Sequence, residues 1–151
     1  MPKITREAVK RETGDGACGP YEELRFSDSG GLTQFGAHEE ILQPGSSSST
    51  LHWHAEEDEM VYVLDGNVTL REGDTETPLT AGEAACFKAG VETGHCIENR
   101  SKAPARLLVI GTRAVRDRVH YPNHDRVQHV DRAHDERRWS NEAGAPADPL
   151  P

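Results

Sequence analysis

The stretch GSSSSTLHWHAEEDEMVYVLDG, residues 45–66, places two histidines and a carboxylate at a spacing suited to one metal ion. Side chains alternate between the two faces of a β-strand, so His52 and His54 point the same way and lie about 7 Å apart. Glu59 opens an apolar run that ends at Asp65-Gly66, a dipeptide typical of tight hairpin turns. We therefore expect a hairpin to bring the Glu59 carboxylate beside the two imidazoles.

A second block, GEAACFKAGVETGHCIEN at residues 82–99, offers a further imidazole in His95. Each candidate has another reading: His52 and His54 could be polar positions on a solvated strand face, and His95 a structural histidine. Glu59 adjoins the acidic residues 56–58, which a solvated turn would also contain. A histidine pair ahead of a matching carboxylate and a later glycine–histidine block favours a metal site. Its four expected ligands are His52, His54, Glu59 and His95.

The two blocks resemble the motifs of the cupin superfamily, approximately G-x5-H-x-H-x3,4-E-x6-G and G-x5-P-x-G-x2-H-x3-N. The first motif is matched at His52, His54, Glu59 and Gly66, with its initial glycine one residue out of place. The second is matched at Gly82, Gly90, His95 and Asn99. Lys88 stands where proline is usual, and four residues instead of two separate Gly90 from His95. The resemblance covers approximately residues 42–110 and is to a small, single-domain bacterial cupin of the conserved-barrel type.

This resemblance implies an all-β fold, the cupin double-stranded β-helix or jelly-roll barrel, with polar arms at both ends. Turn signals every eight to fifteen residues also favour an all-β sandwich or barrel. We predict an N-terminal arm at 1–20, the barrel at 21–112, and a C-terminal arm and tail at 113–151. Residues 5–11 could form one or two helical turns, and 143–151 a loose tail. The predicted strands are 38–42, 60–64, 67–70, 84–87, 95–98 and 106–110.

Composition argues against several classes of partner. The formal net charge of −9 argues against nucleic acid, because phosphate binding depends on clustered Lys and Arg. We expect no membrane contact and a cytoplasmic location, because no apolar run has the length of a membrane span and the start of the chain lacks a secretory signal pattern. The three cysteines lack C-x-x-C spacing, so we expect no disulfide framework.

The C-terminal region is unusually rich in arginine and histidine. Residues 113–138 contain seven arginines against five acidic residues, which predicts a solvated surface or an arm on a partner of opposite charge. His120 and His124 would align on a helix, but Pro122 lies between them, so we interpret them as surface histidines. Trp53 should point away from the metal and pack elsewhere, and Cys96 should be a small core residue.

Three imidazoles and one carboxylate suit one divalent ion of iron, manganese, nickel, copper or zinc, and their spacing does not choose among these metals. Such a site leaves coordination positions for water, dioxygen or a small-molecule substrate or ligand. The resemblance implies a metal-dependent enzyme of the dioxygenase or isomerase type acting on a small oxygenated or acidic compound. No separate general acid or base can be named from the residues.

Two further interpretations remain open. The same pocket would serve a non-catalytic small-molecule-binding or sensor cupin, and a sugar-related isomerase would need only an inert metal such as zinc. We also expect a homodimer, because the edge strands of a small sandwich need covering and the terminal arms are too polar to form a core of their own.

Overall fold

The computed structural model describes residues 3–150, which are nearly all β. Met1, Pro2 and Pro151, at the ends of the predicted arms, lie outside the described residues. The strands are β1 (Lys10–Gly16), β2 (Gly19–Arg25), β3 (Phe35–Leu42), β4 (Trp53–His54), β5 (Glu59–Asp65), β6 (Asn67–Glu72), β7 (Thr75–Thr80), β8 (Ala84–Phe87), β9 (His95–Glu98), β10 (Ala105–Thr112), β11 (Arg116–Tyr121), β12 (Arg126–Asp131) and β13 (Glu136–Ser140). A short helix α1 (Phe26–Ser29) and a 3-10 turn (Pro122–His124) complete the elements. No helix within residues 3–150 is long and apolar enough to span a membrane.

Two of the sheets enclose the apolar core. The larger has six antiparallel strands in the order β1-β2-β3-β10-β5-β8, and the smaller has the order β7-β6-β9. Inward-facing residues of both sheets form one cluster, which includes Leu42, Val63 and Leu107 of the larger sheet and Val68, Leu79 and Ile97 of the smaller. This arrangement confirms the predicted all-β, jelly-roll-like fold.

All six predicted strands are present. The ranges 84–87 and 95–98 agree residue for residue, and the other four strands extend up to three residues beyond the predicted ends. Asn99, which closes the second motif, is fully buried and donates from its amide to the carbonyl oxygens of Leu42 and Ala103, each at 2.9 Å. This residue therefore ties the end of β3 to the loop that precedes β10.

The turn at Asp65-Gly66 is not the predicted hairpin. Strand β5 pairs with β10 and β8, whereas β6 pairs with β7 and β9, so the turn carries the chain from one sheet to the other. Gly66 has a φ of +93°, and a Cβ there would lie 3.0 Å from the Ala105 Cα. Local sequence indicated the tight turn correctly, but strand pairing depends on residues far apart in the chain.

The C-terminal region forms a third sheet, of order β13-β12-β11-β4. The predicted arm is therefore ordered as strands, held by buried Val119, Val127 and Val130. Strand β11 pairs with the short histidine-bearing strand β4, with Val119 opposite His54. The division of the chain into arms and a barrel stays a prediction, but the C-terminal strands reach the expected metal site.

The N-terminal region also contains a strand. A single turn, with the Val9 amide donating to the Thr5 carbonyl at 3.0 Å, precedes β1, which pairs with β2 along its whole length. Up to two helical turns were expected in 5–11, but the chain becomes extended at Lys10.

Candidate metal centre

The four predicted ligands come together where the three sheets meet. His54 lies in β4, Glu59 begins β5, and His95 begins β9, so each belongs to a different sheet. His52 precedes β4 and forms an isolated antiparallel bridge with His95, with backbone hydrogen bonds of 3.2 and 2.8 Å. The backbone therefore fixes the two histidines beside each other.

One oxygen of Glu59 is the common point of the cluster. Its Oε2 lies 3.7 Å from His52 Nε2, 3.5 Å from His54 Nε2 and 3.6 Å from His95 Nε2. Two ligand atoms each about 2.1 Å from an ion are about 3.0 Å apart at a right angle and about 3.4 Å apart at the tetrahedral angle. The ligand atoms of His52, His54 and Glu59 all lie within 4.8 Å of one another, and His95 joins this group through its approach to Glu59.

Hydrogen bonds orient two of the imidazoles for metal binding. His52 Nδ1 lies 2.8 Å from the Thr50 carbonyl oxygen, and His54 Nδ1 lies 2.7 Å from Asp117 Oδ2. Because each partner only accepts, Nδ1 carries the proton in the neutral ring, which leaves the Nε2 lone pair for a metal. Asp117 is fixed in turn, because its Oδ1 accepts from the Glu56 backbone amide at 2.9 Å.

His95 supplies the observation that best tests the fit of a metal. Its ring stacks on Phe87 with 3.5 Å between centroids, and its Nε2 is buried without a hydrogen-bond partner among the described residues. Leaving a buried polar atom unsatisfied costs about 1–3 kcal/mol, and such atoms in native structures point to a missing partner. A metal ion between His95 and Glu59 would supply that partner. The side chains present therefore fit a bound divalent metal ion.

The electrostatics of the cluster also favour a cation. Burial opposes a charge on His54, but Asp117 and Glu59 outweigh this effect and raise its pKa to about 9. Burial opposes a charge on Glu59 too, yet the three histidines hold its pKa well below the usual range. Burial lowers the pKa of His95, which favours the neutral form that binds metals. The two carboxylates thus stabilise positive charge at the point where an ion would lie.

The neighbouring acidic residues have other partners. Glu57 accepts from the Ala114 amide at 2.9 Å and from Arg132 Nη1 at 2.5 Å, while Asp58 accepts from the Ala89 amide at 2.8 Å. Glu57 also lies 3.9 Å from His54 Nδ1, forming a second acidic group with Asp117. Because both carboxylates face the Nδ1 side of His54, they position this ring, and Glu59 alone of the acidic cluster faces the three Nε2 atoms.

The departures from the second motif lie in a loop that is held against the site. The Gly90 amide donates to the His54 carbonyl oxygen at 2.9 Å, and the Gly73 amide donates to the Gly94 carbonyl at 2.8 Å. The longer connection between Gly90 and His95 therefore still delivers His95 to the cluster.

His120 is buried, contrary to the expectation of a surface histidine. Its ring stacks on Trp53 with 4.0 Å between centroids, and its Nδ1 lies 3.0 Å from a Glu142 oxygen. Trp53 thus packs on the side of β4 opposite the ligands, as predicted. His124 is exposed in the 3-10 turn, and Cys96 is buried as expected for a small core residue.

A cavity of about 330 Å³ opens beside the ligand cluster. Strand β3 contributes His38 and Glu40 to its lining, and Arg113 and Arg132 also line it. A wider depression of about 720 Å³ shares both arginines and adds Arg137 from β13. His52, His54 and Glu59 therefore face a space that can hold a small molecule, and arginines are among the residues that line it.

Comparison with known proteins agrees with this architecture. A family model described as a cupin domain matches residues 38–111. A sugar phosphate isomerase of the cupin superfamily from Silicibacter pomeroyi is 33% identical, with 97% of each chain covered and a TM-score of 0.88. The protein is a member of the cupin superfamily.

Two other proteins are also similar to this chain. A proposed sugar phosphate isomerase from Acidithiobacillus ferrooxidans is 26% identical, covering 98% of this chain and 97% of its own, with a TM-score of 0.84. The tetracenomycin polyketide synthase protein TcmJ from Streptomyces glaucescens is 35% identical over 85 residues, which are 56% of this chain. The chain spans about half the length of that curated relative.

Proposed function

We propose that this protein is a metal-dependent isomerase of small phosphorylated sugars. The observation that carries the proposal is that three of the four expected ligands, His52, His54 and Glu59, line a cavity that Arg113 and Arg132 also line. The full-length similarity to a sugar phosphate isomerase supports the same substrate class. This proposal narrows the broader expectation of a dioxygenase- or isomerase-type enzyme, because a phosphate group gives the arginines a role.

One divalent ion would be held by His52, His54, Glu59 and His95. When bound, it would supply positive charge beside the substrate's carbonyl and hydroxyl oxygens and so stabilise negative charge that develops there. Asp117 and the Thr50 carbonyl hold the rings of His54 and His52. The protein thereby presents the Nε2 atoms of these two rings without a change of tautomer.

The arginines that line the cavity and the wider depression would anchor the phosphate. Arg113 pairs with Asp28, and Arg132 pairs with Glu57. Arg137 has no carboxylate partner within residues 3–150, although it lines both the wide depression and a space next to His52 and His54. Guanidinium groups bind phosphate oxygens through paired N–H donors, so Arg137 is the group we expect to contact the phosphate.

The proposal is tested with protein purified without chelator. Elemental analysis should find about one divalent ion per chain, and NMR should detect interconversion of an aldose phosphate and its ketose isomer. Chelation should abolish turnover, and restoring the metal should recover it. Oxygen consumption with loss of substrate would instead indicate a dioxygenase, and a metal-loaded protein that binds sugar phosphates without turnover would be a sensor.

We also propose a homodimer, because β1 and β8 are edge strands of the larger sheet and six of the seven residues of β1 are exposed. Sedimentation at micromolar concentration should give twice 16.6 kDa, and deletion of the residues before Pro20 should weaken assembly. Circular dichroism would verify that the deleted form stays folded. A monomer of 16.6 kDa would contradict the proposal.

A further inference from the structure

Glu40 is a buried carboxyl group without a partner. It is 4% exposed, and it forms no hydrogen bond or ion pair with another group in residues 3–150. The adjacent Glu39 shows the usual arrangement: it points to the opposite face of β3, where its side chain pairs with Arg106 at 2.6 Å and with Arg6. Burying a carboxyl group without a partner costs free energy. Packing alone therefore does not explain why Glu40 is buried.

The surroundings of Glu40 lead to the cavity beside the ligand cluster. Glu40 lines that cavity together with His38, which lies two residues earlier on the same face of β3. Directly opposite Glu40 on β2 is Glu23, whose carboxylate accepts from Arg25 Nε at 3.0 Å. Glu23 is thus paired with Arg25, and Glu40 faces the same space as His52, His54 and Glu59.

The protonation of Glu40 suits transfer of a proton. Burial, followed by the negative charges of Glu23 and Glu59, raises the pKa of Glu40 to about 8. A general acid or base works best when its pKa lies near the operating pH, because both forms are then accessible. Ionisable groups with such strongly shifted values in clefts are also enriched at functional sites.

We infer that Glu40 is the catalytic residue that moves a proton between two neighbouring carbons of the substrate, a role that rests on the proposed isomerase function. The Glu40 carboxylate takes the proton from C2 of the aldose, and the C–H electron pair forms a C1–C2 double bond. The carbonyl electron pair moves to the C1 oxygen. Glu40 then returns its proton to C1, while the C2 hydroxyl proton passes to the C1 oxygen and C2 becomes the carbonyl carbon. No atom or electron is gained or lost.

The test compares Glu40→Gln with Glu39→Gln, a matched change on the outer face of the same strand. Glu40→Gln should lower kcat about 100-fold or more with KM changed only a few-fold, because removing a general base typically costs about 10²–10⁴ in rate. Its metal content by elemental analysis should equal that of the natural protein. Glu39→Gln should keep kcat within about threefold. Unchanged kcat in Glu40→Gln, or loss of its metal, would overturn the catalytic role.

A second measurement does not depend on turnover. Infrared difference spectra of metal-free protein near neutral pH should contain the C=O band of a protonated carboxyl group that disappears in Glu40→Gln and persists in Glu39→Gln. A band that persists in Glu40→Gln would overturn the assignment. Absence of isomerisation by the natural protein would defeat the proposed function itself, whereas an active natural protein with an equally active Glu40→Gln variant would defeat only the role of Glu40.

Discussion

The interior between the sheets has an apolar end and a polar end, and the same strands supply both. On β3, Leu42 lies in the apolar core, whereas Glu40 and His38 on the same face line the cavity. On β5, Val63 lies in the core, whereas Glu59 faces the three histidines. Two residues along a strand span only about 7 Å, so stability and ligand binding are separated along each strand rather than between sheets. A change at one end should therefore leave the other end intact.

The largest effect should come from His54→Ala at the polar end. This change removes one Nε2 ligand and the imidazole partner of Asp117 Oδ2, so metal content by elemental analysis should fall from about one ion per chain to nearly none. Circular dichroism should still show a folded β-protein, because the apolar core does not include the ligands.

The matched control for this variant is His124→Ala, because His124 is exposed in the 3-10 turn. This variant should keep its metal. Full metal content in a His52→Ala, His54→Ala double variant would contradict the ligand assignment, and global unfolding of His54→Ala would contradict the separation of the two ends.

A change at the apolar end should lower the stability of the protein and leave its metal content unchanged. Leu42 is fully buried in the core, and truncation of such a leucine to alanine costs about 2–5 kcal/mol through lost burial and the cavity that remains. Urea unfolding of Leu42→Ala should detect this loss, while the metal content of the folded protein stays unchanged. Leu32→Ala, at a site 46% exposed, should change the unfolding free energy by less than about 0.5 kcal/mol. A reduced metal content in folded Leu42→Ala would contradict the separation of stability and metal binding between the two ends.

The third prediction concerns how much the buried Glu40, at the polar end, lowers the free energy of unfolding. Because the pKa of Glu40 is raised in the folded protein, the unfolded chain loses this proton first as pH rises. The resulting destabilisation is absent below about pH 4.5, grows as pH rises, and is complete above about pH 8. Glu40→Gln should therefore stabilise metal-free protein at pH 8, by a few kcal/mol at most, and should have little effect at pH 4.

Glu39→Gln should have the opposite effect in the same urea titrations: it should lower the free energy of unfolding at neutral pH. Burial alone would raise the pKa of Glu39, but Arg106 and Arg6 outweigh it and lower that pKa. The stability contributed by ionised Glu39 is present at neutral pH and is lost as pH falls through the lowered pKa. A Glu40→Gln variant less stable than the natural protein at pH 8 would show that Glu40 has a stabilising partner.

The six strands and the proximity of His52, His54 and Glu59 could be predicted from the sequence because their signals are local. His52 and His54 are two residues apart, and Glu59 follows within one motif. Asp117 could not be found in this way, since it reaches His54 from 63 residues further along the chain through the pairing of β11 with β4. Glu40 likewise carries no signal beyond its polarity, because its location on the inner face depends on sheet packing.

The C-terminal sheet could not be predicted from the sequence for a related reason. Its buried positions Val119, Val127 and Val130 are sparse and lie among many charged residues, so composition indicated a solvated arm. Buried and exposed residues alternate in β11 from Asp117 to Val119, but the buried Asp117 is charged, so the sequence of this strand has no alternation of apolar and polar residues.

The smallest of these effects should come from Asp117→Asn, which tests whether the C-terminal sheet belongs to the polar end. The amide oxygen can still accept from His54, but asparagine lacks the negative charge that strengthens this bond and the ring's basicity. Outer partners of metal-bound histidines typically contribute about 10–100-fold to metal affinity, and we expect a loss of this size in competition with a chelator. Ser49→Ala is the matched control, because His52 Nδ1 would keep its 2.8 Å bond to the Thr50 carbonyl and metal affinity should hardly change. Equal affinities of Asp117→Asn and Ser49→Ala would mean that β11 supports the site only by packing, and that the polar end is complete without the third sheet.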